Sequence, residues 1–189
     1  MPRMKQDVLR LERLMDNVLR AVRLQNAPAS DQRELVDVSK LLHRVVDRFE
    51  RIPSTIPVNL TREIDERINV HGDEVALEGA FDALLDNAFK YHDGDKISIT
   101  VRVMLSNDKV RVEIEDQGAG IDRRELESVF ERFYRVGSEL TRAASGTGLG
   151  LYIVRETIRA HDGEVVAESD GSGRGARFVV TLPAAADKG

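Results

Sequence analysis

The sequence predicts an α+β (α/β) two-layer sandwich, a mixed β-sheet covered on one face by three helices and preceded by one amphipathic helix. Two patterns carry that reading. Ile97, Ile99, Val101, Val103 and Leu105 alternate with mostly polar residues. Val110, Val112 and Ile114 do the same after a turn at residues 106–109, so two half-buried strands run back to back. Helical stripes stand at Leu41, Leu42, Val45, Val46 and Phe49, and again at Leu77, Phe81, Leu84 and Ala88.

Taken in order, residues 4–25 read as a charged helix with Met4, Val8, Leu11, Met15, Val18 and Val22 spaced alternately four and three apart. Leu14, Ala21 and Leu24 widen the stripe toward a four-helix bundle. The stripe suits a surface helix packed on its own domain or a dimerisation seam. Its regularity, and its distance from the glycine motifs below, favour the seam. Pro28 ends the helix. The expected division is 1–27 for the second helix of a dimerisation bundle, 28–34 for a linker, 35–183 for the main domain and 184–189 for a disordered tail. Within that domain a helix is expected over 39–51, a strand at 57–60 and a short strand near 68–70. A second helix is expected from Gly72, with Asp73 and Glu74 in its first turn where the dipole favours anions. A third helix is expected over 149–160. Strands at 164–167 and 176–182, with Gly171-Ser172-Gly173 between them, close the domain.

Bulk properties narrow the function. The net charge of -5 argues against non-specific nucleic-acid binding, which needs a basic surface to displace counterions. With no cysteine there is no disulfide framework, thiolate nucleophile or cysteine-ligated zinc. No apolar run approaches the ~20 residues of a membrane span. No membrane contact by this chain is expected. The expected location is the cytoplasm, with a membrane-anchored parent also compatible.

The chemistry lies in two glycine motifs and one helix face. Asn87, Lys90 and Tyr91 stand at i, i+3 and i+4, off the core track. An asparagine carbonyl is a hard ligand suited to Mg²⁺, and Lys90 can neutralise a phosphate oxygen. Asp116-Gln117-Gly118-Ala119-Gly120 follows a strand, so its carboxylate can accept from an adenine amino group while the glycines bring the backbone close. Gly146-Thr147-Gly148-Leu149-Gly150 opens a helix and exposes unpaired amides at its positive end, an anion site. It is neither a dinucleotide fingerprint, since its third glycine falls too early, nor a P-loop, since no lysine follows. Between them, residues 129–136 supply apolar anchors and 137–145 a small-residue loop, together the pattern of a lid.

These segments together resemble the catalytic, ATP-binding domain of sensor histidine kinases, within the GHKL ATPase superfamily. The N-box lies at 82–91, the first glycine box at 116–120, the F-box at 130–134 and the second glycine box at 146–150. His161-Asp162-Gly163 is similar to the family's His-Gly-Gly turn, with Asp162 replacing a glycine. The resemblance covers about 35–183 and implies a GHKL fold with ATP and Mg²⁺ as cofactors. It implies that Asn87 holds the metal, that Asp116 binds adenine beside Gly118, Gly120 and Ile121, and that Lys90 and Tyr91 line the nucleotide. The segment Gly146, Thr147, Gly148, Leu149 and Gly150 would wrap the phosphates, and Arg135 would approach the γ-phosphate. Asn87, Lys90 and Arg135 are then the catalytic set.

There are departures. The family's acceptor, a histidine followed by an acid on a helix, is missing: His43 is followed by Arg44 and His71 by Gly72, while His92 and His161 fall in the domain's own motifs. The expected activity is therefore transfer of the ATP γ-phosphoryl group to a histidine on another segment. The implied partners are a helix bearing that histidine, a response regulator and a second copy of the chain. In the superfamily's gyrase-, MutL- and Hsp90-like members a glutamate one turn before the metal-binding asparagine activates water. Ala83 occupies that position here and cannot act as a base. Hydrolysis for conformational change is the less favoured alternative, and a non-catalytic nucleotide-binding or dimerisation module a third.

Overall fold

A computed structural model describes residues 33–135 and 147–185. The expected helix over 4–25, the expected lid loop at 137–145, Gly146 and the last four residues lie outside the described residues. In chain order the described residues form two sheets and three α-helices. They are β1 (Glu34–Asp37), α1 (Val38–Glu50), β2 (Val58–Ile64), β3 (Asn69–Gly72), α2 (Glu74–Lys90), β4 (Ile97–Ser106), β5 (Lys109–Asp116), α3 (Gly150–Ala160), β6 (Glu164–Glu168) and β7 (Arg177–Pro183). A 3-10 turn at Ser128–Phe130 lies between β5 and α3.

The main sheet has the order β2-β4-β5-β7-β6. Only β2 and β4 run parallel, and the other pairs are antiparallel, which makes the sheet mixed as expected. Period-two alternation sorts its faces. Val101 pairs with Ile114 and Val112 with Val180, all buried, and they form one core with Leu41, Val45, Leu77, Phe81 and Leu84 of the helices. The opposite face carries a lattice of ion pairs. Arg102 reaches Glu63 at 2.7 Å and Glu115 at 2.6 Å, Arg177 reaches Glu115 at 3.3 Å, and Arg111 reaches Glu113 at 2.7 Å. Apolar residues on one face and alternating charge on the other leave the helices one face to cover.

The sequence expectation differs from the structure in three places. The strand expected near 68–70 belongs to a separate two-stranded sheet, where β3 pairs antiparallel with β1, a strand the alternation did not reveal. Asp73 stands outside the first turn of α2 as its N-cap, accepting from the Ala76 amide at 3.0 Å, much as Asp37 caps α1. Past β7, the backbone amides of Ala184 and Ala185 donate to Asp108 and Asn69 at 3.0 and 2.8 Å, so the chain is still bonded there. Among the described residues no helix is long and apolar enough to cross a membrane.

Phe81 is fully buried in the face α2 turns to the sheet. Phe81→Ala is expected to cost about 3–5 kcal/mol of stability. A loss of unfolding free energy under ~1 kcal/mol in denaturant melts would show that the core collapses around the gap.

Candidate functional site

The site forms where α2 ends against the turn after β5. Tyr91, the C-cap of α2, accepts from the Ala119 amide through its carbonyl at 2.9 Å, and His92 bridges Gly118 in antiparallel fashion. Two motifs distant in sequence are thus stitched backbone to backbone. Gly118 is required there: a Cβ would stand 2.2 Å from the Tyr91 carbonyl oxygen. Asn87, Lys90 and Tyr91 line the same helix end, each half-buried. Among the described residues the Asn87 side-chain amide makes no hydrogen bond, which keeps its oxygen open for a ligand. Lys90 Nζ lies 5.0 Å from the centre of the Tyr91 ring. Burial lowers the Lys90 pKa, Asp86 opposes that shift, and Arg135 adds to it. The Tyr91 phenol is pushed up by burial, against the pull of Arg135. The charge of Arg135 therefore bears on both residues.

Asp116 continues the inward-facing set Val110, Val112 and Ile114 by the two-residue period of β5, so its carboxylate faces the helix layer. It is 7% exposed. Oδ1 accepts from the amides of Gly118 at 2.8 Å and Ala176 at 3.2 Å, and no donor among the described residues reaches Oδ2. Burial raises its pKa, opposed by those two amides. An acceptor oxygen left without a donor among the described residues is what an exocyclic amino group of a base can satisfy. Ile121, buried just beyond Gly120, bounds the same turn.

The second glycine box lies against the F-box. Gly148 has φ +71, and a Cβ there would come 2.7 Å from the Phe133 carbonyl carbon, while the Phe133 amide donates to the Gly148 carbonyl at 2.9 Å. This pairing corrects one expectation. Val129 and Phe130 are buried anchors, but Phe133 has φ +64 and is 70% exposed, because its backbone bond to Gly148 turns the side chain outward. Arg132 instead holds this segment to α3, its guanidinium 4.5 Å from the Tyr152 ring. Thr147 accepts from the Leu149 amide through Oγ1 at 3.2 Å, and Leu149 is buried. Gly150 begins α3, and a Cβ at that position would meet open space. Among the described residues α3, unlike α1 and α2, has no side-chain cap, and its first amides point at no protein acceptor there, an arrangement suited to an anion.

His161 is a structural residue. Its Nδ1 donates to the Thr157 carbonyl at 2.7 Å and its Nε2 accepts from the Asp73 amide at 2.9 Å, which ties the end of α3 to the cap of α2. Asp162 takes φ +57 at the position where the family pattern has glycine, and it pairs with Arg33 at 2.5 Å.

One contributor escaped the sequence reading. The segment after β6, taken as a plain connection, backs the first glycine box from below. Gly173 donates to the Ala119 carbonyl at 2.6 Å and Gly175 to the Gly118 carbonyl at 3.1 Å. A Cβ at Gly120 would strike the Gly171 carbonyl oxygen at 2.1 Å, and one at Gly175 the Asp116 carbonyl oxygen at 2.1 Å. The available signal was the spacing of Gly171, Gly173 and Gly175, three alternate glycines, all with positive φ.

Comparison with known proteins places this geometry. The family model described as histidine kinase-, DNA gyrase B-, and HSP90-like ATPase matches residues 72–186, and the chain belongs to that family. Its sequence is 31% identical over 176 residues to the sensor histidine kinase WalK of Bacillus subtilis, covering 92% of this chain and 28% of that protein. This chain thus spans less than a third of that relative. The mycobacterial sensor histidine kinase MprB superposes with a TM-score of 0.67 at 29% identity, over 80% of this chain and 97% of that one. The ATP binding domain of PrrB from Mycobacterium tuberculosis gives 0.62 at 27% identity, over 82% and 100%.

Proposed function

We propose that this chain is the ATP-binding catalytic part of a sensor histidine kinase, which transfers the γ-phosphoryl group of ATP to a histidine outside the described domain. One observation carries the reading: the end of α2 and the Asp116 turn are locked together at Tyr91–Ala119, while the ligand-facing groups on both sides remain open. Those open groups are Asp116 Oδ2, the Asn87 amide and the uncapped amides of α3. They fit adenine, Mg²⁺ and a polyphosphate respectively. The family match and the kinase names of its relatives support the same assignment.

Bound ATP supplies the phosphoryl group, and Mg²⁺ neutralises charge on its oxygens. In this reading Asp116 orients the base, with Gly118, Gly120 and Ile121 shaping the turn around it. Asn87 holds the metal by its carbonyl oxygen, Lys90 and Arg135 offset phosphate charge, and Tyr91 walls the site. The start of α3, from Thr147 through Gly148 and Leu149 to Gly150, presents amides to the phosphates, joined by Gly146. Hydrolysis is disfavoured because Ala83, one turn before Asn87, packs against the core and offers no proton acceptor. Residues 1–27 would supply the dimer contact, with a cytoplasmic response regulator as the eventual recipient.

Calorimetric titration with ADP tests the metal role. The protein should bind about tenfold more tightly with Mg²⁺ than without. Asn87→Ala should lose that enhancement and keep the metal-free affinity. A full Mg²⁺ effect in Asn87→Ala would remove Asn87 as the ligand.

A further inference from the structure

The loop that backs the first glycine box is organised by one side chain. Ser169 lies just after β6, and its hydroxyl is fully used. It donates to the Gly175 carbonyl at 2.6 Å and accepts from the amides of Ile121 at 3.0 Å and Gly171 at 3.2 Å. One donor and two acceptor lone pairs are all that a serine hydroxyl has. Two of these bonds close residues 169–175 into a ring, and the third fastens that ring to the chain leaving the Asp116 turn.

The end of the ring so fixed touches the carboxylate's surroundings. Gly175 lies against the Asp116 carbonyl, and its amide holds the Gly118 carbonyl at 3.1 Å. Ala176, the next residue, both accepts from the Asp116 amide at 2.8 Å and donates to Asp116 Oδ1 at 3.2 Å. One of the two bonds that orient the carboxylate therefore originates in the segment Ser169 anchors. The other comes from Gly118, whose carbonyl the same segment holds.

We infer that Ser169 is a positioning residue for base recognition: by closing the 169–175 ring onto Ile121 it sets the direction of the Asp116 carboxylate and with it the preference for adenine. This rests on the reading of Asp116 as the acceptor of the adenine amino group. Ser169 has no free hydrogen-bonding capacity for the nucleotide itself. Its effect must therefore show in discrimination between bases, with contacts to the phosphates untouched.

The experiment measures dissociation constants of the 189-residue chain for ADP and for inosine diphosphate, whose base carries a carbonyl where adenine has its amino group. The wild-type protein is expected to prefer ADP strongly. Ser169→Ala should lower that preference about tenfold by weakening ADP binding, with the inosine diphosphate affinity within about twofold of wild type. Ser169→Thr, which keeps the hydroxyl, should restore it. Thermal melts identify the folded fraction. If Ser169→Ala is too unstable to titrate, Ser169→Cys, which keeps the volume and weakens the bonds, is judged by the same criterion. A wild-type protein that binds both nucleotides equally would overturn the adenine reading of Asp116. A wild-type preference that survives intact in Ser169→Ala would overturn the role of Ser169 alone, and so would an equal loss for both nucleotides.

Discussion

Asp116→Asn is expected to lower adenosine-nucleotide affinity roughly a hundredfold without destabilising the domain at neutral pH. Asparagine keeps one oxygen to accept from the Gly118 and Ala176 amides. Its NH₂ replaces Oδ2, however, so two donors then face each other across the base contact. Losing a hydrogen bond to a charged group and stranding both partners costs about 3 kcal/mol, which is that hundredfold. Stability moves the other way. Burial raises the Asp116 pKa above its ordinary 3.8, so the folded state holds the proton more tightly than the unfolded chain does. Stability from that group is present at acid pH and is lost as pH rises through the folded pKa. The substituted amide has no proton to lose in this range. The variant should therefore gain in melting temperature relative to wild type on going from about pH 4 to about pH 7. Titration with ADP and melts across that range check both halves. Unchanged ADP affinity would remove the adenine assignment, and a lower melting temperature at neutral pH would show that the turn needs the charge.

Gly118→Ala should damage folding and binding together. The added Cβ would lie 2.2 Å from the Tyr91 carbonyl oxygen and 2.9 Å from Asp116 Oδ1, so the turn must leave α2. Overpacking against backbone on that scale costs about 3 kcal/mol, a fall of roughly 10 °C in melting temperature for a domain this size. Gly94→Ala is the control. Gly94, unlike Gly118, has a positive φ, +86, but a Cβ there meets nothing within 4 Å, so only the conformational cost of about 1 kcal/mol applies. ADP affinity should disappear in the first variant and persist in the second. Equal melting losses in both would mean that the Tyr91 contact is not the cause.

The sequence was most legible where structure is written in local periods. The alternation of Ile97 to Leu105 and of Val110 to Ile114 appears as β4 and β5, and Leu77, Phe81, Leu84 and Ala88 are all buried in α2. The Asn87–Tyr91 face was equally plain, since helical spacing alone places its members together. Non-local pairing was hidden. β1 has four residues, too few to show a period, and its partner β3 lies more than thirty positions on, with Glu34 opposite Gly72. The outward turn of Phe133 depends on its backbone meeting Gly148, a contact that composition does not record. The ring at 169–175 was read as a connection because each of its bonds to the first glycine box spans about fifty residues or more.

The two bonds of His161 have a mechanical meaning. They join the C-terminal end of α3 to the cap of α2, while the nucleotide-facing ends of the same helices, Lys90 on one and Gly150 on the other, carry no such tie to each other among the described residues. α2 is thus a strut pinned at both ends: His161 holds its cap, and the Tyr91–Ala119 bond holds its other end, about 25 Å away, to the turn after β5.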